Sequence, residues 1–501
     1  MKLLISFLIL FVILIQSSTL QLSISSSPSR VNPLLATDSA SSEIADWIFN
    51  GLVKFDKDGN IIGDLAKKFY FENNTTLVFE LRKGIKWHDG EIFDAEDILY
   101  TFNLLKSPKL LTPYKDNFKY IKSVEIINLY KIKVVYKEAY FKALSIWMMG
   151  ILPEHLWKNE NNPMTSKLNK MPIGTGSYML KKAFKVNEKI ILEANPDYLP
   201  HKPNIDTIKY NYIGDTSTEF ITLKAKKLDI GSLNPLQINR QLNDDFKSYY
   251  NIIEQPSQSY TYMGFNLRKE KFKNKKIREA LNYAIDKQEL IDLLFFSHGK
   301  ICNGPFMPNS PVYPNNYKPK GYNPEKAKEI LRELGFTKDN PFKFELITNT
   351  GNDIRINASQ IIQYQLAKVG IKMSIRTMEW QSFLNTVVMP HQFEAVLMGW
   401  SLSLIPDAHS IWHSEGDKQG GFNFIGYRNK IVDNLIIKSQ KIIDSIKFAK
   451  EYQKIFKLIA NDTPYIFLYI PNSITVVNKK IKGINPSVIG IMHNQIDWTK
   501  D

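Results

Sequence analysis

LVFELRKGIKWHDGEIFDAEDILYTF, at residues 77–102, predicts a strand, a turn and a helix in direct succession. Leu77, Phe79 and Leu81 alternate with their neighbours at the period of two that is typical of a half-buried strand. Gly84 and the Asp-Gly pair that ends at Gly90 supply residues that favour turns.

The second half of this stretch carries a helix start signal. Asp94 and Asp97 have the three-residue spacing of a helix N-cap and its reciprocal partner. The apolar residues Ile98, Leu99 and Phe102 follow at helical spacing. A capped helix is therefore predicted directly after the turn.

As a string, this stretch is similar to the signature of the family 5 solute-binding proteins of bacterial ABC importers, which bind peptides, nickel complexes and similar solutes. The resemblance rests on LRKGIKWHDG and FDAED, at 81–90 and 93–97. Further segments resemble family landmarks in the same order: PIGTGSY at 172–178, NPDY at 195–198, YMGFN at 262–266, REALNYAIDK at 278–287, YNPEKAKEILRELGF at 322–336, and the segments 398–414 and 423–427.

The resemblance implies an α/β, two-lobed, periplasmic-binding-protein-like fold with an extra N-terminal subdomain in lobe I. The ligand would lie between lobes that close by hinge bending. The implied parts are lobe I from 21–46, 172–257 and 471–501, the extra subdomain at 47–171, lobe II at 258–470, and crossings near 257–262 and 469–472.

Bulk properties agree with a large soluble binding protein. The 501 residues exceed one ordinary core, and 44% hydrophobic with 23% charged residues is a globular composition. The net charge of +15 comes from scattered Lys and Arg without a basic block or Arg-rich arm, so nucleic-acid binding is not predicted.

The N-terminus predicts a signal peptide over residues 1–20. Lys2 precedes an apolar run that is too short for a membrane span, and small polar residues follow it. An uncleaved anchor is the alternative. Because Cys302 is the only cysteine and lies far from this segment, neither an intrachain disulfide nor a lipid-anchor cysteine is expected, which favours a free periplasmic protein.

Three further segments carry helix signals. Residues 275–296 place apolar side chains on one helical face. Asn323 and Pro324 form a helix start, with the end predicted before Gly335. Residues 358–369 predict another helix, followed by an alternating strand at 371–375.

The segment 399–407 carries the main ligand prediction. Peptide-binding relatives commonly place an aspartate for the ligand's α-amino group three residues after the tryptophan, and Ser403 stands there after Trp400. Others carry aspartates around the following proline, of which Asp407 remains. Asp407 therefore substitutes, or the ligand's amine is blocked, absent or solvated. Trp400 offers an apolar wall, although a core role is equally open.

Three other residues complete the predicted ligand-binding set. Arg355 matches the region from which some relatives reach a ligand carboxylate, and a guanidinium suits that group; a surface ion pair with Asp353 is the alternative. Gly174 lies in a tight Gly-Thr-Gly turn whose backbone could approach a ligand, and Tyr262 lies at a predicted lobe crossing.

Asp407, His409 and His413 form the most metal-like cluster, since the i and i+4 spacing of the two histidines places both imidazoles on one helical face. In the alternative, His409 is exposed and His413 is a hydrogen-bonded histidine beside Trp412. No resident metal or cofactor is predicted. No catalytic motif is present, so an enzyme is not predicted.

The function implied is capture of short peptides and delivery to an ABC permease in the inner membrane by a monomeric binding protein. A nickel chelate or other non-peptide solute is the first alternative, and a secreted hydrolase is a remote one.

Overall fold

The protein is described by a computed structural model that covers residues 18–185, 188–418 and 421–501. The core of the predicted signal peptide, residues 1–17, lies outside this part. Within the described residues, we find no helix with the length and apolar content needed to cross a bilayer.

Across the described ranges, twenty strands form five sheets. They are β1 Thr19–Ile24, β2 Val53–Phe55, β3 Ile61–Gly63, β4 Ala66–Asn73, β5 Thr76–Leu81, β6 Ile121–Asn128, β7 Lys131–Tyr136, β8 Tyr178–Leu180, β9 Ile190–Ala194, β10 Thr207–Tyr212, β11 Ile230–Leu233, β12 Tyr250–Pro256, β13 Ser259–Phe265, β14 Gly299–Ile301, β15 Lys343–Asn349, β16 Lys372–Met378, β17 Ala395–Ser401, β18 Tyr465–Asn478, β19 Ile481–Lys482 and β20 Thr499–Lys500.

Fifteen α-helices are described. They are α1 Ser39–Ile48, α2 Ala95–Lys106, α3 Glu154–Trp157, α4 Thr216–Lys224, α5 Pro235–Arg240, α6 Asp244–Tyr249, α7 Glu270–Lys273, α8 Lys275–Ala284, α9 Lys287–Phe295, α10 Pro324–Glu333, α11 Asp353–Lys368, α12 Trp380–Phe383, α13 Ala408–Trp412, α14 Lys430–Gln440 and α15 Ser445–Asp462. Helices and strands are mixed along the described chain, as the α/β prediction required.

The opening stretch forms the predicted elements around a central strand. The strand β5 lies between β4 and β7, and Val78 is buried together with its neighbours. A half-buried strand, as predicted, would have exposed Val78. Asp94 caps α2, and both bonds of the capping box with Asp97 are present. The indole Nε1 of Trp87 also donates to Asp97 Oδ2 at 3.2 Å. These residues hold the strand, turn and helix together.

Two small sheets build the N-terminal part of the molecule around one continuous hydrophobic core. One has the order β1-β10-β9-β8, and the other has the order β4-β5-β7-β6. The strand β1 pairs in parallel with β10 from Thr19 onward, and Leu20 is buried, so the last two residues of the predicted signal lie in this sheet. The exact end of the signal stays a prediction.

The strand β18 joins the two halves of the molecule. Its first part, up to Tyr469, pairs with β13 in the mixed sheet β18-β13-β17-β15-β16. Its second part pairs with β11 and with β12, which bonds as far as Pro256. Both predicted crossings therefore run side by side here. The residue limits of the lobes stay a prediction.

Separate hydrophobic clusters cover the two faces of the mixed sheet. One contains Tyr262, Trp412 and Phe456 and lies beneath α13, α14 and α15. The other contains Phe265 and Ile362 and lies beneath α8, α9, α10 and α11. This arrangement leaves the carboxyl ends of β15 and β17 facing the junction with β12.

The predicted helices are confirmed with two corrections. The single helix expected over 275–296 is two helices, because the chain extends at Ile285 and Asp286 then caps α9. Asn323 caps α10 as predicted. The helix expected from 358 begins five residues earlier, at Asp353, with Asn352 as its cap.

Candidate functional site

A cleft of about 1020 Å³ opens at the junction of the two halves. Its walls are the β12–β13 connection, the loop after β17, an N-terminal loop that contains Lys57 and a C-terminal loop that contains Val488. Two buried side-chain oxygens that line it, Gln258 Oε1 and Asn309 Oδ1, have no hydrogen-bond partner among the described residues. Buried polar atoms normally have partners, so these two atoms mark positions for a ligand or for water.

Trp400 lies near the end of β17, at the edge of the mixed sheet that faces this junction. Its ring stacks on Phe424 at 5.6 Å between centroids, and Phe422 meets it edge-on at 5.9 Å. Its Nε1 donates to the Tyr465 hydroxyl at 3.4 Å. The indole is half-buried, so packing fixes its orientation while part of the ring remains open as an apolar wall.

Tyr262 supports Trp400 from beneath. It is fully buried, its ring stacks on Tyr465 at 3.8 Å, and it lies parallel to Trp400 at 6.4 Å. The structure therefore joins Tyr262 and Trp400, which the sequence named separately. With no exposed surface, Tyr262 acts on a ligand only through the ring above it.

Arg355 lies in the first turn of α11, at the same edge of the sheet but on its opposite face. Its Nη1 donates to Asn349 Oδ1 at 2.9 Å, and its Nη2 lies 3.1 Å from the position that a Cβ on residue 399 would occupy. Gly399 is therefore the residue that leaves room for the guanidinium. That Cβ would also lie 2.9 Å from the Tyr260 carbonyl oxygen.

The charge of Arg355 has no neutralising partner in the part of the chain that the structure describes. Among the described residues no carboxylate lies within ion-pair distance of it, and its buried Nε has no partner. The alternative of an ion pair with Asp353 is therefore not what the structure contains. Burial lowers the pKa of Arg355 from its usual value, which reflects the cost of holding an uncompensated cation here.

Asp407 already has a cationic partner. Its Oδ2 accepts from Lys142 Nζ at 2.8 Å, and both side chains are partly buried. Its Oδ1 accepts from the backbone N–H of His409 at 3.0 Å and so caps α13. Ser403 lines the cleft, is exposed, and donates its hydroxyl to the Ile405 carbonyl at 2.9 Å.

Gly174 lies apart from these residues. A Cβ at this position would fall 1.8 Å from the carbonyl oxygen of Ile48, so close packing against α1 requires glycine. Its N–H donates to Nδ1 of His88 at 3.2 Å, while Nε2 of that ring lies 3.0 Å from the Gly176 carbonyl. The Gly-Thr-Gly turn is thus bound to the WHDG segment of the opening stretch.

The two histidines named from the sequence do come together, and a third side chain joins them. The rings of His409 and His413 stack with centroids 4.5 Å apart. One ligand atom from each, and one from Glu415, lie within 4.8 Å of one another. Sequence reasoning missed Glu415 because a helix end, not a helical repeat, places it there.

A five-residue contact segment, 138–142, was also missed. It belongs to the predicted extra subdomain yet contacts the helices over the mixed sheet. The ring of Phe141 stacks on Phe448 at 5.1 Å, and the N–H of Phe141 donates to the Gln440 carbonyl at 2.8 Å. No local motif marks this segment in the sequence, since its partners lie about 300 residues further along the chain.

Comparison with known proteins places this arrangement in a family. Residues 60–422 match the family model for bacterial extracellular solute-binding proteins, family 5 middle region. The chain belongs to this family 5 of extracellular solute-binding proteins. Its α/β, two-lobed fold with a hinged cleft is the fold of the solved family members.

Two family 5 relatives in sequence are named for the peptides they bind. The oligopeptide-binding protein AppA of Bacillus subtilis is 32% identical over 478 residues, which covers 91% of this chain and 87% of AppA. The dipeptide-binding protein of Escherichia coli is 27% identical over 514 residues, covering 96% and 94% of the two chains.

Two solved family 5 structures carry different ligands. Bacillus subtilis AppA, in complex with a nonapeptide, is 30% identical with a TM-score of 0.76 and covers 96% of this chain and 99% of its own. NikZ of Campylobacter jejuni, in complex with Ni(L-His), is 27% identical with a TM-score of 0.79 and covers 97% and 99%.

Proposed function

We propose that this family 5 protein captures short peptides between its lobes and delivers them to an ABC permease. The observation that supports the proposal most is the unpaired, half-buried guanidinium of Arg355 at the junction edge of the mixed sheet. A cation in that position is stabilised by a carboxylate that arrives with the ligand. The C-terminal carboxylate of a peptide supplies that group.

The remaining cleft features suit an extended peptide of loose sequence. The cleft volume of about 1020 Å³ is at the upper end of ordinary ligand pockets, which are roughly 300–1,000 Å³. The free oxygens of Gln258 and Asn309 provide acceptors for peptide N–H groups, directly or through water. Trp400 provides a flat apolar surface for one side chain.

The proposed protein binds its ligand in the periplasm and catalyses no reaction on it. Removal of a signal peptide by cleavage after residue 17 or 18 would leave β1 intact, whereas cleavage after Thr19 would remove its first residue, because pairing with β10 begins there. The closed lobes of one monomer would then present a joined surface to the inner-membrane permease. No chemical step is assigned to any residue of the cleft.

One observation favours a second ligand class. NikZ, with Ni(L-His) bound, is as similar in fold to this chain as peptide-bound AppA is. The carboxylate of an amino-acid chelator would also neutralise Arg355. A nickel chelate is therefore the alternative cargo, bound in the same cleft.

Mass spectrometry of ligands that co-purify with the protein from its own host tests the proposal, together with calorimetric titration of short peptides and of nickel-histidine. We expect a mixture of peptides, and affinity for peptides that falls on Arg355→Gln. The matched control is Arg376→Gln, which removes an exposed guanidinium paired with Glu345 on the neighbouring strand. Tight binding of nickel-histidine with no peptide binding would replace the peptide assignment, and peptide cleavage products would contradict binding without chemistry.

A further inference from the structure

We propose that His409, His413 and Glu415 form a binding site for a first-row divalent transition metal such as Zn²⁺. This site is distinct from the peptide cleft and does not depend on the proposed cargo. It lies where α13 ends and the chain turns into a short 3₁₀ segment, Ser414–Gly416. Two imidazoles and a carboxylate are the donor set that zinc and its neighbours prefer.

Two of the three separations between ligand atoms are close to those around a tetrahedral metal. Nε2 of His409 lies 3.5 Å from Glu415 Oε2, and Nδ1 of His413 lies 3.9 Å from the same oxygen. Ligands at about 2.1 Å from a tetrahedral zinc ion are about 3.4 Å from one another. All three ligand atoms lie within 4.8 Å of one another, but the two rings stack nearly parallel. Metal binding therefore requires the half-buried His409 ring to rotate until both imidazole planes contain the ion, and the fourth position is left for water.

The backbone of the site is held in place from three sides. The carboxylate of Asp407 caps the first turn of α13, beneath His409. The N–H of Ser414 donates to Asp433 Oδ1 at 3.0 Å, which fastens the turn to α14. The carbonyl of His413 accepts from Asn423 Nδ2 at 3.2 Å. A site built on such anchored positions needs little backbone reorganisation to bind an ion.

The lone pair of His413 points to the side of the ring from which the metal would bind. Its Nδ1 accepts a hydrogen bond from the N–H of Glu415 at 3.1 Å, so the neutral ring presents an unprotonated Nδ1 toward residue 415. Metal binding exchanges this one hydrogen bond for a coordinate bond. The exposed Glu415 side chain is free to rotate toward the ion, while the ring of His413 is buried and fixed.

Titration of the mature, tag-free protein with Zn²⁺ against a competing chelator tests the site. We expect one zinc ion per chain, and a fall in affinity of more than about tenfold for His409→Ala and for Glu415→Gln, since even outer-shell partners contribute 10–100-fold. The control is His201→Ala, which removes an exposed histidine that pairs with Asp497 elsewhere. Absence of zinc binding, or equal binding by all variants, overturns the proposal.

Two further measurements test the geometry of the metal site and its independence from the peptide cleft. Co²⁺ in place of zinc gives visible d–d absorption in a tetrahedral site, and this absorption is expected in the wild type and lost in His409→Ala. Arg355→Gln should leave zinc affinity unchanged, because Arg355 lies in α11, over the face of the mixed sheet opposite α13. Zinc binding that required Arg355 would instead identify the metal as part of a chelate cargo and refute a separate site.

Discussion

At the scale of single residues, Arg355 is a half-buried cation at the junction edge of the mixed sheet, with no carboxylate partner among the described residues. Its guanidinium has one side-chain acceptor, Asn349. Hydrogen bonds to charged partners are worth more than neutral ones, and a bidentate carboxylate uses the geometry of the guanidinium fully.

For this reason the peptide C-terminus is the first group to vary. Wild-type protein should bind free-acid peptides about ten- to hundredfold more tightly than the same peptides with an amidated C-terminus, which corresponds to roughly 1.5–3 kcal/mol for a charged hydrogen bond. Arg355→Gln should abolish this preference. Paired calorimetric titrations of both peptide forms measure it. An unchanged preference in the variant would remove Arg355 from the carboxylate role.

A second residue-scale feature is the neutral histidine that binds the Gly-Thr-Gly turn. Burial disfavours the charged ring and lowers the pKa of His88 to about 4. Protonation of Nδ1 would also remove the hydrogen bond from the Gly174 N–H. In the unfolded chain the pKa of histidine is about 6.5. Between these values the unfolded state binds the extra proton, so stability from this group is complete above about pH 6.5 and is lost as the pH falls toward 4.

Urea unfolding at pH 7.5 and pH 5.0 measures this contribution. We expect about 1 to 2 kcal/mol of the wild-type loss in unfolding free energy between these pH values to come from His88. In His88→Gln that share of the pH dependence should disappear. His201→Gln is the control, since the pKa of that exposed ring is raised by its hydrogen bond to the Lys202 carbonyl and its effect has the opposite sign. Equal pH slopes in wild type and His88→Gln would disprove the role of His88.

At the scale of elements, the contact segment 138–142 couples the N-terminal part to the helices over the mixed sheet. Lys142 pairs with Asp407 at 2.8 Å, and Glu138 pairs with Lys441 at 2.9 Å. Asp407 was predicted from the sequence as a partner of the ligand's α-amino group. In the structure an ammonium group from the opposite side of the junction holds that position.

We therefore expect Lys142→Gln to weaken peptide binding about two- to fivefold by destabilising closure, the size of a partly exposed ion pair. Asp407→Asn should have a similar effect, and the double variant should be no weaker than either single one. Calorimetric titration with a double-mutant cycle checks this. Lys158→Gln, which breaks an exposed pair within α3, is the control.

The same experiment decides the role of Asp407. If it only closes the junction, Asp407→Asn weakens peptides with free and with acetylated N-termini equally. A larger loss for free N-termini would assign Asp407 to the ligand amine, as the sequence suggested.

The elements show which features local sequence could predict. The capping box at Asp94, the Pro324 helix start and the presence of strand β5 depend on neighbouring residues, so they were predicted correctly. The half-buried alternation expected for β5 was wrong, because strands on both sides bury Val78 as well. The break at Asp286 was missed because both helices share an apolar face. Lys142 and Glu415 were missed because their partners are set by tertiary packing and by a turn, which no short-range pattern encodes.

At the scale of the whole molecule, β18 makes the two halves share one strand. Ile466 lies in its first part, against the core under α9 and α11, and Ile474 lies in its second part, against α4 and α6. Both are almost fully buried. Because the strand is continuous between them, disruption at either end removes pairing partners from both halves.

Ile466→Ala and Ile474→Ala form a matched pair for this coupling. Each should reduce the free energy of unfolding by about 2–5 kcal/mol, the usual cost of this core truncation. Each substitution should lower the denaturant midpoint of unfolding of both halves together. Differential labelling, or hydrogen exchange of β5 in one half and β15 in the other, measures the two midpoints separately. Two separate transitions, with each variant shifting only its own half, would show that the lobes unfold independently.

The position of β18 in the chain also affects the order in which strands can pair during synthesis. Synthesis proceeds from the N-terminus, so residues 465–478 are made after β11, β12 and β13. Until then β11, β12 and β13 lack the strand that pairs with all three, and the edges that face it have no permanent partner. Native pairing of these strands must therefore await synthesis of β18, and their open edges are exposed to wrong partners until that strand is made.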